Sequence, residues 1–161
     1  MNIVLYQPEI PQNTGNIART CAATNTTLHL IEPLGFSLDD KHLKRAGLDY
    51  WHLLDIRRYP DYASFLKENS DGFYYYCTTK ASRIYTDVSY AANDYLIFGP
   101  ETRGLPESML QNVYGDSIRI PMEEEARSLN LSNAVAVVLY EALRQTGFSG
   151  LKKHGQLSSV R

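Results

Sequence analysis

The chain has 161 residues, 43% of them hydrophobic and 21% charged, with a formal net charge of −2. These are the proportions of one ordinary globular domain able to bury its own core, and they exclude a low-complexity chain. No apolar run approaches bilayer-spanning length, two cysteines are too few for a disulfide framework, and the net acidity argues against a nucleic-acid binder unless charge is locally concentrated.

An apolar run predicts a first strand over Asn2–Tyr6; with no charged leader ahead of a long apolar stretch, a cytoplasmic location is expected. Next comes Pro11-Gln12-Asn13-Thr14-Gly15-Asn16-Ile17-Ala18-Arg19, from which a helix over Asn13–Ala23 is expected. Helical spacing puts Gly15 and Asn16 at i−4 and i−3 from Arg19. An amide and a guanidinium then share a face beside a glycine that another backbone can approach, and the guanidinium fork suits a phosphate. A surface Asn–Arg hydrogen bond is the ordinary alternative. Ile17, Ala18, Cys21 and Ala22 form a separate, core-facing side, so Cys21 reads as a buried thiol.

A strand is predicted over Thr27–Ile31 and a helix over Asp39–Ala46, with Ser37 and Asp40 spaced as a capping box. Lys41, His42, Lys44, Arg45, Arg57 and Arg58 make one basic region, in which Tyr50-Trp51 either stacks on a base or packs inward. A strand over Leu53–Ile56 follows. Pro60 suits the first turn of a helix over Asp61–Glu68, and a strand over Phe73–Cys77 ends in a second buried thiol. The four histidines are scattered and no Cys-x-x-Cys occurs, so no metal site is expected.

The predicted strand Tyr95–Phe98 runs into Phe98-Gly99-Pro100-Glu101-Thr102-Arg103-Gly104-Leu105-Pro106. Glycines flanking a strand-end carboxylate suggest backbone wrapped closely around a ligand; a tight turn stabilised by Glu101 or Arg103 is the alternative. The spacing is not the dinucleotide fingerprint, and neither a Gly-Lys-Ser/Thr phosphate loop nor a Gly-x-Ser-x-Gly elbow occurs. After a helix over Glu107–Val113 and a strand over Ser117–Ile120 comes Ile120-Pro121-Met122, then the solvent-facing run Glu123-Glu124-Glu125, then Ser128-Leu129-Asn130-Leu131-Ser132-Asn133. Four small polar residues at one helix entry exceed what capping requires. The final helix, Asn133–Thr146, is apolar on more than one side, which predicts cover from a second subunit, and Gly147 ends it. A short basic tail from about residue 150 carries Lys152, Lys153, His154 and Arg161.

Alternating strands and helices predict a single α/β domain over residues 1–161, with a mostly parallel sheet and helices on both faces. The three unusual segments each follow a strand and open at or near a helix, where open α/β sheets place their ligand loops. One shared site is expected.

In this order the segments resemble the motifs of the SPOUT methyltransferases, SpoU branch, across Pro8 to Gln145. Leu28-His29-Leu30-Ile31-Glu32-Pro33-Leu34-Gly35-Phe36 and Arg45-Ala46-Gly47-Leu48-Asp49-Tyr50 are similar to its minimal members, which methylate tRNA and lack an added RNA-binding domain. The resemblance implies a C-terminal trefoil knot, which the rarity of threaded chains would otherwise argue against. It also implies a homodimer, S-adenosylmethionine as methyl donor, and the wobble ribose of leucine tRNAs as acceptor, approached through the anticodon stem-loop. By matched position it implies cofactor contacts at Cys77, Thr78, Gly99, Gly104, Ile120, Ser128 and Leu129. Reacting-centre roles fall to Asn16, Arg19, Glu101, Ser128 and Asn130. RNA contact is expected at Lys41, Lys44, Arg45 and Tyr50.

Overall fold

The computed structural model describes residues 1–37 and 54–157. The expected helix Asp39–Ala46, the capping partner Asp40, and Lys41, Lys44, Arg45, Tyr50 and Trp51 lie outside the described residues.

Among the described residues seven strands form one sheet: β1 (Asn2–Tyr6), β2 (Thr27–Ile31), β3 (Ile56–Tyr59), β4 (Tyr74–Cys77), β5 (Arg83–Ile84), β6 (Tyr95–Phe98) and β7 (Ser117–Arg119). Their order is β3-β2-β1-β6-β4-β7-β5, and every pairing is parallel. β1 lies between β2 and β6, with Ile3 opposite both Leu28 and Leu96. Four α-helices among the described residues cover the sheet: α1 (Pro11–Thr24), α2 (Tyr62–Glu68), α3 (Glu107–Val113) and α4 (Leu131–Gln145).

The central strands β1 and β6 read as continuous apolar runs because both faces are covered. Alternate residues go to opposite sides. Ile3, Leu5, Leu28, Leu30, Leu96 and Phe98 pack with Ile17 and Cys21 of α1 and Val135, Val138 and Leu139 of α4. Val4, Ile31, Tyr95 and Ile97 pack on the other face with Phe65 of α2 and Leu110 of α3. At roughly 1.5–3 kcal/mol for each large side chain fully removed from water, these two layers hold the strand ends in place for the loops they carry.

Several boundaries differ from expectation. The third strand is Ile56–Tyr59 rather than Leu53–Ile56. It is an edge strand set by register with β2, Leu28 opposite Ile56 and Ile31 opposite Tyr59, and solvent on its free side admits Arg57 and Arg58 where a central strand would need apolar residues. Pro60 precedes the helix instead of opening it: Asp61 is the cap, its Oδ1 accepting from the Ser64 amide at 2.7 Å. Pro11, not Asn13, takes the first helical position of α1. α4 starts at Leu131, two residues before the expected Asn133, because Asn130 caps it. β5 is too short, and too charged, to leave a periodic signal. Gly147, with φ +73°, does end α4.

A buried polar node lies within the second layer. The His29 ring is fully buried and stacks on Tyr59, with Nδ1 3.0 Å from the Tyr59 hydroxyl and Nε2 3.2 Å from Asn2 Oδ1. Burial, and then the nearby Arg57 charge, push its pKa down to about 4.

Candidate functional site

The carboxyl ends of β4, β6 and β7 open onto one cleft of about 550 Å³, the size of a small-ligand site. It lies where parallel α/β sheets place ligands. Its floor is apolar, formed by Phe98, Leu105, Ile118, Ile120, Ala134 and Val138.

The loop after β6 forms the first wall. It folds back on itself so tightly that a Cβ on Gly99 would stand 2.3 Å from the Gly104 carbonyl carbon and the Leu105 nitrogen. Gly104 has φ +67° and donates its amide to the Pro100 carbonyl at 2.9 Å. Both glycines are therefore dictated by the loop, one by close approach and one by a left-handed backbone.

Glu101, within this loop, does not point an unoccupied carboxylate at a ligand. Its Oε2 accepts from the Glu9 amide at 2.8 Å, and its Oε1 from the Ile10 amide at 3.2 Å and Asn13 Nδ2 at 3.1 Å. Ile10 caps α1 without a side-chain hydrogen bond of its own, so a residue about ninety positions away supplies the anion that the amino end of α1 favours. Glu9 reciprocates, its Oε2 accepting from the Thr102 hydroxyl at 2.7 Å and amide at 3.2 Å. The Thr102 hydroxyl, then its amide and the Arg103 charge, hold the Glu9 carboxyl below the usual range.

The third segment closes the cleft. Asn13 Oδ1 accepts from Asn130 Nδ2 at 3.0 Å, and Asn130 Oδ1 accepts from the Ser132 amide and hydroxyl at 2.9 and 2.6 Å. Asn13 therefore joins all three segments, one hydrogen bond to the β6 loop and one to the cap of α4. Asn13 belongs to the first of the three segments, but no role for it was expected. A signal was present: Asn13 is four residues before Ile17 and eight before Cys21, on the core-facing stripe, where an amide must find partners.

All seven expected cofactor positions, Cys77, Thr78, Gly99, Gly104, Ile120, Ser128 and Leu129, line the cleft, as do Glu101 and Asn130. Asn16 and Arg19 do not; they stand on the exposed side of α1, while Gly15 is buried. Cys77, expected as a buried thiol, is partly exposed on the cleft, and desolvation pushes its thiol up, which keeps it protonated. Among the described residues no group of three or more His, Cys, Asp or Glu side chains could hold a metal ion, and no helix is long and apolar enough to cross a membrane. Arg57 and Arg58, from the expected basic region, lie on the β3 edge in ion pairs with Asp55 and Glu32.

Residues 1–140 match the SpoU rRNA methylase family. The chain belongs to that family. Similar SpoU relatives include a tRNA (cytidine(34)-2′-O)-methyltransferase of Escherichia coli strain K12, 54% identical over 151 residues, 93% of this chain and 96% of the relative. A solved structure described as giving structural insights into the 2-OH methylation of C/U34 on tRNA is 47% identical, with a TM-score of 0.87 over 91% of this chain and 95% of the other. A third, an AdoMet-bound rRNA methyltransferase from Sinorhizobium meliloti, is 26% identical with a TM-score of 0.79; it covers 89% of this chain but only 55% of its own.

The SpoU cleft described above fits such a cofactor. It offers an apolar floor for a ring and strand-end and loop backbone at its edges, and the sequence has no glycine-lysine phosphate loop, in keeping with a donor that carries no phosphate.

Proposed function

We propose that the protein transfers a methyl group from S-adenosylmethionine to the ribose 2′-hydroxyl of the wobble nucleotide, cytidine or a modified uridine, of leucine tRNAs. The observation that carries this reading is the convergence of three remote segments, through Asn13, on one cleft at the strand ends. The name and near-complete mutual coverage of the Escherichia coli relative support the substrate. The C-terminal part of the chain is proposed to be threaded as a trefoil knot, and the protein to act in the cytoplasm, where Lys41, Lys44, Arg45 and Tyr50 meet the anticodon stem-loop.

When bound, the cofactor supplies a methyl group already electrophilic on a sulfonium, so the chain has mainly to orient the acceptor. Cys77, Thr78, Gly99, Gly104, Ile120, Ser128 and Leu129 would hold it. Glu101 and Asn130 act as positioning residues, since their polar atoms are committed to the amino ends of α1 and α4. Ser128, exposed at the cleft edge, remains to meet the substrate.

Arg19 acts as a fixed cation that grips the phosphate beside the target ribose and stabilises alkoxide character on the hydroxyl; a guanidinium has no proton to give up readily and no lone pair to accept one, so it is no general base. Because Arg19 lies off the cleft of its own chain, a second copy delivers it. Val137 and Tyr140, half-exposed on α4, supply the apolar surface for that homodimer. One subunit then holds the cofactor while the other grips the tRNA.

The test is to incubate the purified protein with total tRNA and the cofactor and to map methylated nucleotides by mass. A 2′-O-methyl group at position 34 is expected. Cofactor binding without transfer would leave an RNA-binding protein of the same fold. Arg19→Lys is expected to keep partial activity, and a pH–rate profile showing Arg19 itself titrating would overturn its role.

A further inference from the structure

The cleft has a charge that the chain as a whole lacks. Four cations stand on its walls: Lys80 after β4, Arg103 in the β6 loop, Arg119 at the end of β7 and Arg127 beyond it. The single carboxylate on the lining, Glu101, has both oxygens occupied by three N–H donors. In a chain of net charge −2, positive charge is thus gathered at one opening.

These cations are weakly committed. Arg119 and Arg127 make no side-chain hydrogen bond or ion pair with a described residue. Arg103 Nη2 is 3.7 Å from Glu9, a long contact, with the side chain 67% exposed. Only Lys80 has a close partner, Glu107, and both are exposed. The acidic run Glu123-Glu124-Glu125 lies outside the lining, in a turn closed by the Ala126 amide on the Glu123 carbonyl.

S-adenosylmethionine carries a sulfonium, an ammonium and one carboxylate, a net positive charge, so the apolar floor and loop backbone account for its seat and the cations of the rim add little to it. The rim suits a polyanion. We infer that Lys80, Arg103, Arg119 and Arg127 form a phosphate-binding rim that seats the RNA backbone on either side of the target nucleotide. The single-stranded loop then enters across the ends of β4, β6 and β7. This rests on the methyltransferase reading of the cleft. It resolves the mismatch between an acidic chain and a nucleic-acid substrate, because the needed charge surrounds the chemistry itself.

The test uses the full chain and an unmodified leucine tRNA transcript, with affinity measured from about 50 to 250 mM salt. In Arg103→Gln/Arg127→Gln, two lost phosphate contacts at about 0.7 each should flatten the log–log salt slope by about 1.4. Cofactor affinity by calorimetry should stay within about twofold of wild type. Arg103→Lys/Arg127→Lys, which keeps the charge, should restore the slope, and an unchanged melting temperature in both variants excludes misfolding.

An unchanged slope in the Gln variant overturns the inference. So does a large loss of cofactor affinity at constant slope, which would assign the rim to the cofactor's carboxylate. If the slope depends on the rim but wild type transfers no methyl group, the rim stands and only the proposed function fails.

Discussion

Asn13→Ala tests the claim that one amide holds the site together. Asn13 is 6% exposed, and truncation removes a charge-assisted donor from Glu101 and an acceptor from Asn130. A hydrogen bond to a charged group is worth about 1.5–3 kcal/mol. Glu101 keeps two amide donors, which moderates the loss, and Asn130 lies near enough to solvent to bond water. The expected destabilisation is therefore about 2 kcal/mol, or a melting temperature lower by roughly 4–8 °C for a chain of this length. Asn16→Ala, three residues along on the exposed side, should stay within about 0.5 kcal/mol. Urea titration of both variants measures the difference. An Asn13→Ala/Asn130→Ala cycle should give a coupling of about 0.5–1 kcal/mol. If Asn13→Ala were as stable as Asn16→Ala, the argument that Asn13 ties the three segments would fail.

Other perturbations follow from the same geometry. Gly99→Ala drives a Cβ into loop backbone at 2.3 Å and should cost about 1–3 kcal/mol with loss of cofactor binding, whereas Gly115→Ala, with nothing within 4 Å of the added carbon, should be neutral in the same melts. His29 has a folded pKa near 4, below its unfolded value, so the unfolded chain binds the extra proton and stability falls as pH drops from about 6.5 towards 4. Between pH 7 and pH 5 this amounts to about 2 kcal/mol, and urea midpoints should show it in wild type but not in His29→Gln. Replacing Val137 and Tyr140 together by Asp should halve the mass seen by light scattering while leaving the far-UV spectrum intact; an unchanged mass would remove α4 from the interface.

Much of the architecture could be read without coordinates, for local reasons. Asn2–Tyr6, Thr27–Ile31 and Tyr95–Phe98 are buried on both faces, so each is a mainly apolar run, interrupted internally only by His29, with a visible length. Glu107–Val113 and the glycine after α4 followed equally short-range rules. β3 escaped this reading because an edge strand is chosen by its neighbour's register, and β5 because two residues carry no period.

The site divides along the same line. Composition and position marked the segments around Gly99, Glu101 and Ser128-Leu129-Asn130, since glycines and small polar residues that sacrifice propensity stand out locally. What each polar atom does was decided by tertiary structure. Glu101 proved to be a cap for a helix about ninety residues earlier, and Asn13 the joint between two remote loops. The acidic average of the chain hid a cationic cleft assembled from Lys80, Arg103, Arg119 and Arg127. Propensity and periodicity act over a few residues and so are legible in the chain itself. Hydrogen-bond partners and local charge depend on which strand ends the parallel sheet brings side by side, and only the folded order of β4, β6 and β7 determines that.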